Sequence, residues 1–216
     1  MNPAHDKALQ RVTSQIIARF ELLSSARDLA IAAGRKVIRL SANAVRAMHR
    51  DDHAEASGLL GQARAELDSI RAATEPFPSV YWAGYVQDAM KEYAEAVITG
   101  AVLKGESIPE PDTLAVEDAA YLNGLAEAAS ELRRDTLDAL RGDDIDRATT
   151  LLQAMDSIYG VLVTIDYPDA VTGGLRRTTD QLRAVLERTR GDVTLAVRQD
   201  RLEHALKAVE ALQTGR

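Results

Sequence analysis

An all-α fold, a bundle of about seven helices, is what this 216-residue sequence predicts. Three observations carry that reading. Alanine, leucine, arginine and the acids dominate while only six prolines occur, a composition that favours helix throughout. No strand-length segment alternates apolar and polar residues. The breaks between long periodic stretches are short and carry turn chemistry.

Taken in order, a first helix is expected from about Lys7 to Met48, with Val12, Ile16, Leu23, Val37 and Leu40 spaced along it. It stops at His49-Arg50-Asp51-Asp52, where an aspartate can cap a second helix running to about Ala73. Pro76-Phe77-Pro78 ends that helix, since the residue before a proline is pushed out of helical geometry. A third helix follows to about Lys104, then a proline-rich linker over residues 105–116. A fourth helix runs from about Val116 to Leu140, and Gly142-Asp143-Asp144 turns the chain into a fifth, ending near Thr164. Asp166 to Gly174 reads as a loop, and Leu175 to about Leu212 as the last helical stretch, with a break expected at Gly191-Asp192. No internal boundary or tandem repeat stands out, so the expectation is a single domain over residues 1–216.

The bulk numbers narrow function. A net charge of −7 argues against non-specific binding of nucleic acid over the whole surface, though not against a local basic patch. With no cysteine there is neither a disulfide framework nor thiolate chemistry. The N-terminal MNPAHDKALQR lacks the apolar core of a signal peptide, and no apolar run reaches the length of a membrane span. The expectation is a cytoplasmic protein with no membrane partner.

The third helix is the informative one. From Val80 to Leu103 its only charged residues are Asp88, Lys91, Glu92 and Glu95, and apolar residues surround it on nearly every side. Such a helix is buried, and a buried carboxylate is costly unless it is paired or holds a metal. Glu92 and Glu95 share a face, and on the fourth helix Glu127 and Glu131 stand one turn apart among Gly124, Ala126, Ala128 and Ser130. Two such pairs would form an oxygen-rich site suited to Mg2+ or Mn2+. By spacing alone this is a weak signal, because glutamates on helices are ordinarily solvated. His49 and His53 are spaced for a shared metal, but Asp51 and Asp52 between them point to a surface turn. Arg190-Gly191-Asp192 reads as a helix break rather than an adhesion signal. No phosphate-binding glycine loop occurs, and no histidine follows the glutamates at the spacing of di-iron bundles. Arg35, Arg39 and Arg46 fall near one helical face with Arg27 upstream, candidates for RNA binding if several copies are brought together. A second basic group, Arg176, Arg177, Arg183, Arg188 and Arg190, crowds the last stretch.

Val116-Glu117-Asp118, then Tyr121-Leu122-x-Gly124 and Ala129-Ser130-Glu131-Leu132-x-Arg134, resemble the fourth-helix signature of the translin family, with Ala119-Ala120 as two extra residues. The resemblance continues through Gly142-Asp143, Asp156-Ser157-x-Tyr159-Gly160 and Leu175-Arg176-Arg177. The family holds two types, translin, which binds single-stranded nucleic acid, and translin-associated factor X, a metal-dependent endoribonuclease with an E-Y-V-E-A-V motif. Glu92-Tyr93-Ala94-Glu95-Ala96-Val97 is similar to the catalytic type. The family's acidic positions on the next helix fall on Glu127, where the catalytic type has Asp, and on Glu131. A further upstream acid is replaced by Ala89, with Asp88 adjacent. The basic cluster that opens translin's third helix is absent from SVYWAGYVQ.

The resemblance implies a translin-like fold and a Mg2+- or Mn2+-dependent endoribonuclease acting on single-stranded RNA inside a closed homo-oligomer, commonly an octamer. Glu92, Glu95 and Glu131 would hold the metal, with Glu127 a fourth ligand or the group that orients water. The alternatives are a non-catalytic oligomer that encloses single-stranded RNA or DNA and, more distantly, an all-α nucleotide pyrophosphohydrolase. The latter wants an acid three residues after the second glutamate, where this chain has Arg134. Five of the nine aromatic residues, Phe77, Tyr81, Trp82, Tyr85 and Tyr93, crowd one short region, which suits either a local core or a subunit interface.

Overall fold

The structure, a computed structural model, describes residues 3–214. Nine helices occur among them, and no strand: α1 (Pro3–Met48), α2 (His53–Thr74), α3 (Pro78–Tyr81), α4 (Gly84–Lys104), α5 (Pro111–Leu114), α6 (Asp118–Arg141), α7 (Ile145–Leu162), α8 (Asp169–Thr172) and α9 (Leu175–Thr214). Six are long and match the expected bundle. The other three are single turns inside segments read as linkers or loops. Two of these, α3 and α5, open on a proline, which is pre-set for the first helical position. No helix among the described residues is long and apolar enough to cross a membrane.

Two turns use one device. Asp51 and Asp143 adopt left-handed backbone (φ 59° and 58°), which closes the preceding helix: the amides of Asp51 and Asp52 donate to the Met48 and Ala47 carbonyls, and those of Asp143 and Asp144 to Leu140 and Ala139. Asp52 and Asp144 then cap the following helix, accepting from the backbone N–H of Glu55 and Arg147. The Asp-Asp pair therefore ends one helix and starts the next, and it leaves the buried side chain of His49 in the turn directly after α1.

α1 and α2 form an antiparallel hairpin, α4 lies on α1 and α6, and α6 also packs on α7, α8 and α9. The main core joins Val37, Leu67, Ile70, Met90, Ile98, Leu125 and Leu182. Burial of a large aliphatic side chain contributes roughly 1.5–3 kcal/mol. Of the clustered aromatics, Tyr93 is buried and Phe77, Tyr81 and Tyr85 pack against this core, whereas Trp82 is 59% exposed. α9 does not break at Gly191. The glycine sits in an intact helix, held by Arg190 to Asp156 of α7 and by Arg133 of α6 to Asp192. Those ties offset a helix-interior glycine cost of about 1 kcal/mol.

The α4–α6 contact positions everything that follows. A Cβ at Gly124 would lie 2.7 Å from the Lys91 carbonyl oxygen and 3.0 Å from the Glu95 amide nitrogen, so only glycine admits this approach. On the other side, Gly34 of α1 brings the Tyr85 carbonyl to 3.3 Å from the same construction. Gly124→Ala is expected to cost about 1–3 kcal/mol, because rigid backbone must move. Gly61→Ala on exposed α2, where a Cβ meets nothing, should instead be neutral or gain up to about 1 kcal/mol. Urea unfolding midpoints decide, and equal stability of the two variants would disprove the close-contact account.

Candidate metal centre

Gly124 sets α6 against α4 at the turn that carries the acids. One carboxylate oxygen from each of Glu92, Glu95 and Glu127 lies within 4.8 Å of the other two. Oxygens on one small cation are roughly 3–4 Å apart, so the trio needs little adjustment to hold one. Lys91 Nζ lies 2.7 Å from Glu127 and 3.2 Å from Glu92, partly balancing the charge. Burial lowers the Lys91 pKa, but hydrogen bonding to Glu127 and the charges of Glu127 and Glu92 outweigh it, and the net direction is up. Glu95 has no such partner. Burial, then the negative charges of Glu92, Glu127 and Glu131, push its pKa up to about 8. A divalent cation would reverse that penalty.

Glu131 stands just outside the trio. His49 Nε2 contacts its carboxylate at 2.7 Å, while Nδ1 lies 3.2 Å from Asp135 Oδ2. The His49 side chain is 2% exposed, so it is buried between two carboxylates rather than sitting on a surface turn as the sequence suggested. The Nδ1 hydrogen bond goes to Asp135 Oδ1 at 3.4 Å, and Asp135 Oδ2 is buried without a hydrogen-bond partner. Burial raises the Asp135 pKa, against the opposing effect of His49. His53 opens α2 on the exposed surface.

A cavity of about 230 Å³ opens over these groups, lined by Ser41, Ala42, Val45 and Arg46 of α1, His49 just after it, Glu92 and Glu95 of α4, and Glu131 and Arg134 of α6. The Ser41 hydroxyl on its wall is buried without a hydrogen-bond partner. An all-oxygen donor set, a half-buried acid with a raised pKa and an orphaned hydroxyl fit a hard cation with its water. Of the four arginines singled out in the sequence, Arg46 reaches this cavity. Arg35 and Arg39 are exposed on the same side of α1, up to about 16 Å away along the axis. Arg27 lies further up and pairs with Asp28. Asp88 is exposed and Ala89 is fully buried, so neither adds to the trio.

Lys91, His49, Arg134 and Asp135 were not among the expected site residues. Asp135 had a signal, since Glu127, Glu131 and Asp135 repeat at one-turn spacing on α6. His49 had one too, continuing the α1 face of Arg35, Arg39 and Arg46.

Comparison with protein-family models finds no match. The chain is 28% identical over 188 residues to an uncharacterised protein of Methanocaldococcus jannaschii, covering 86% of this chain and 83% of that protein. Its structure is similar to that of AfC3PO, both in complex with duplex RNA and alone. Each match has a TM-score of 0.80 and 30% identity over 87% of this chain and 97% of the other. Apo-NeC3PO shares the fold, with a TM-score of 0.73 and 20% identity over 91% and 98% of the two chains. These likenesses define an all-helical protein with a C3PO-like fold. The chain belongs to the translin family.

The raised pKa of Glu95 fixes a sign. The folded chain keeps a proton that the unfolded chain releases near its ordinary value of 4.5. The Glu95 contribution to stability is thus full below about pH 4.5 and lost as the pH rises to about 8. In chelator, Glu95→Gln is expected to be more stable than the parent at pH 8, by on the order of a few kcal/mol. The gap should close toward pH 5. Denaturant titrations at several pH values measure it, and a pH-independent gap would contradict burial of an ionisable Glu95.

Proposed function

We propose that this chain is the catalytic type of translin-family protein, one domain over residues 1–216 acting as a metal-dependent endoribonuclease on single-stranded RNA inside a closed homo-oligomer. The observation that carries the reading is the approach of Glu92, Glu95 and Glu127 to within 4.8 Å across the glycine contact. These residues would hold Mg2+ or Mn2+. The cation would supply a Lewis acid for the phosphoryl oxygens and make water nucleophilic near neutral pH. Glu131, oriented by His49, is placed to accept the proton of the attacking water. Arg46 and Arg134 on the cavity wall are placed to hold phosphate oxygens beside the acids.

Assembly supports the same reading. Leu9, Val12, Ile17, Phe20 and Leu22 on α1 and Leu195, Leu202, Leu206, Val209 and Leu212 on α9 are exposed by 47–76%. Surfaces this apolar mark interaction sites. An octamer that turned Arg35, Arg39 and Arg46 inward would reconcile a net charge of −7 with RNA binding in the cytoplasm. The complex of AfC3PO with duplex RNA lends weight to RNA as the ligand.

One observation favours a second reading. Lys91 already neutralises part of the acidic trio, which suits a binding protein for RNA or DNA that does not cut. Labelled single-stranded RNA incubated with Mg2+, Mn2+ or chelator separates the two. Cleavage is expected with metal, falling about 100-fold or more in Glu95→Gln, while light scattering reports the same multimer, larger than a dimer, for both proteins. Metal-independent cleavage, or none by the parent, would refute the catalytic reading.

A further inference from the structure

A second cleft, of about 650 Å³, includes Lys91 and Glu127 of the acidic centre in its lining and runs between α4, α6, α8 and the start of α9 to Trp82. Its chemistry differs from that of the metal cavity. Trp82 presents an open indole, steadied at its edge by Tyr81 with ring centroids 5.3 Å apart. Arg177 is exposed and has no ion-pair partner among the described residues. Lys91 belongs to both the cleft and the acidic centre. The lining includes Ala119 and Ala120, the two residues inserted in the translin-like signature, whose small side chains leave room for a flat ring. Asp88 and Glu127 are the acids that face the cleft, and Glu127 is held by Lys91. The volume falls in the range of small-ligand sites, about 300–1,000 Å³.

We infer that this cleft is a nucleotide subsite: Trp82 stacks the base of the nucleotide next to the scissile phosphodiester, and Arg177 with Lys91 holds its phosphate. An aromatic platform beside cations, of which Lys91 is shared with Glu92 and Glu127, recognises unpaired nucleic acid, because every exposed base has a stacking face whereas a base in a duplex is already stacked. This inference rests on the nuclease reading for RNA as its ligand. It adds the reason for a single-strand preference, which the acidic centre by itself does not supply.

Trp82 is the only tryptophan in the chain, so its fluorescence reports on the cleft directly. Full-length Glu95→Gln, which should bind without cutting, is titrated with a single-stranded RNA hexamer, the same hexamer with abasic positions, and a duplex of equal length. Anisotropy of labelled copies follows binding in parallel. The intact single strand is expected to quench Trp82 saturably, with a midpoint matching the anisotropy. The abasic strand and the duplex should leave it unchanged. In the same background, Trp82→Ala should raise Kd roughly tenfold and Trp82→Phe far less, since stacking survives. Arg177→Gln should raise Kd and flatten its dependence on salt.

Binding by anisotropy with constant tryptophan emission would overturn the subsite, as would equal quenching by the duplex. A blue-shifted emission indifferent to RNA would overturn it as well, by seating Trp82 against a second copy of the chain. The two readings fail separately. A parent that cuts RNA while Glu95→Gln shows no quenching loses the subsite and keeps the nuclease. Quenching in a protein that never cuts keeps the cleft as a single-strand groove and loses the nuclease. No binding of any strand removes both.

Discussion

The approach of α6 to α4 at Gly124 is the constraint on which the rest of the structure depends. A side chain there would strike the backbone of Lys91 and Glu95, so the absence of a Cβ lets two helices meet at van der Waals distance of their main chains. Glutamate side chains are long and flexible, and on helices held further apart they would relax outward into water. Close packing removes that escape and forces Glu92, Glu95 and Glu127 into one small volume. The apolar face around them, with Ala94, Ala126 and Ala128 fully or almost fully buried, supplies the hydrophobic burial that offsets the electrostatic cost.

That cost is distributed unevenly, and the unevenness makes the site chemically useful. Glu92 and Glu127 share Lys91, whereas Glu95 lies deeper and has no cationic contact of its own, so it holds its proton. Glu131 is drawn aside by His49, which is itself clamped to Asp135. Four neighbouring carboxylates of similar intrinsic acidity thus occupy three environments. Divergent environments of this kind separate groups that bind a cation from groups that move a proton.

The acidic centre also divides the surface. Arg46 of α1 and Arg134 of α6 line a narrow polar cavity, while Trp82 and Arg177 flank a second, wider cleft. α1 links the parts, because His49 follows its last turn, its second half carries the arginines, and its first half exposes the apolar residues that suit assembly.

By itself the sequence determined the helices, because helix propensity, capping aspartates and prolines act over a few residues. The Asp51-Asp52 and Asp143-Asp144 pairs, and the end of α4 near Gly105, were legible for that reason. It also singled out the four glutamates, through their setting among apolar and small residues and through the family signature. Where local signals misled, a distant contact had intervened. Gly191 does not break α9, since ion pairs from α6 and α7 hold the helix on both sides of it. His49 is not a surface residue, since α6 places Glu131 and Asp135 against it from more than 80 positions away. Only the tertiary structure decided that Glu127 joins Glu92 and Glu95 while Glu131 turns to His49, and that Lys91 lies between two acids. Those outcomes depend on the separation and relative rotation of α4 and α6, set by one missing side chain, and no periodicity along a single helix encodes them.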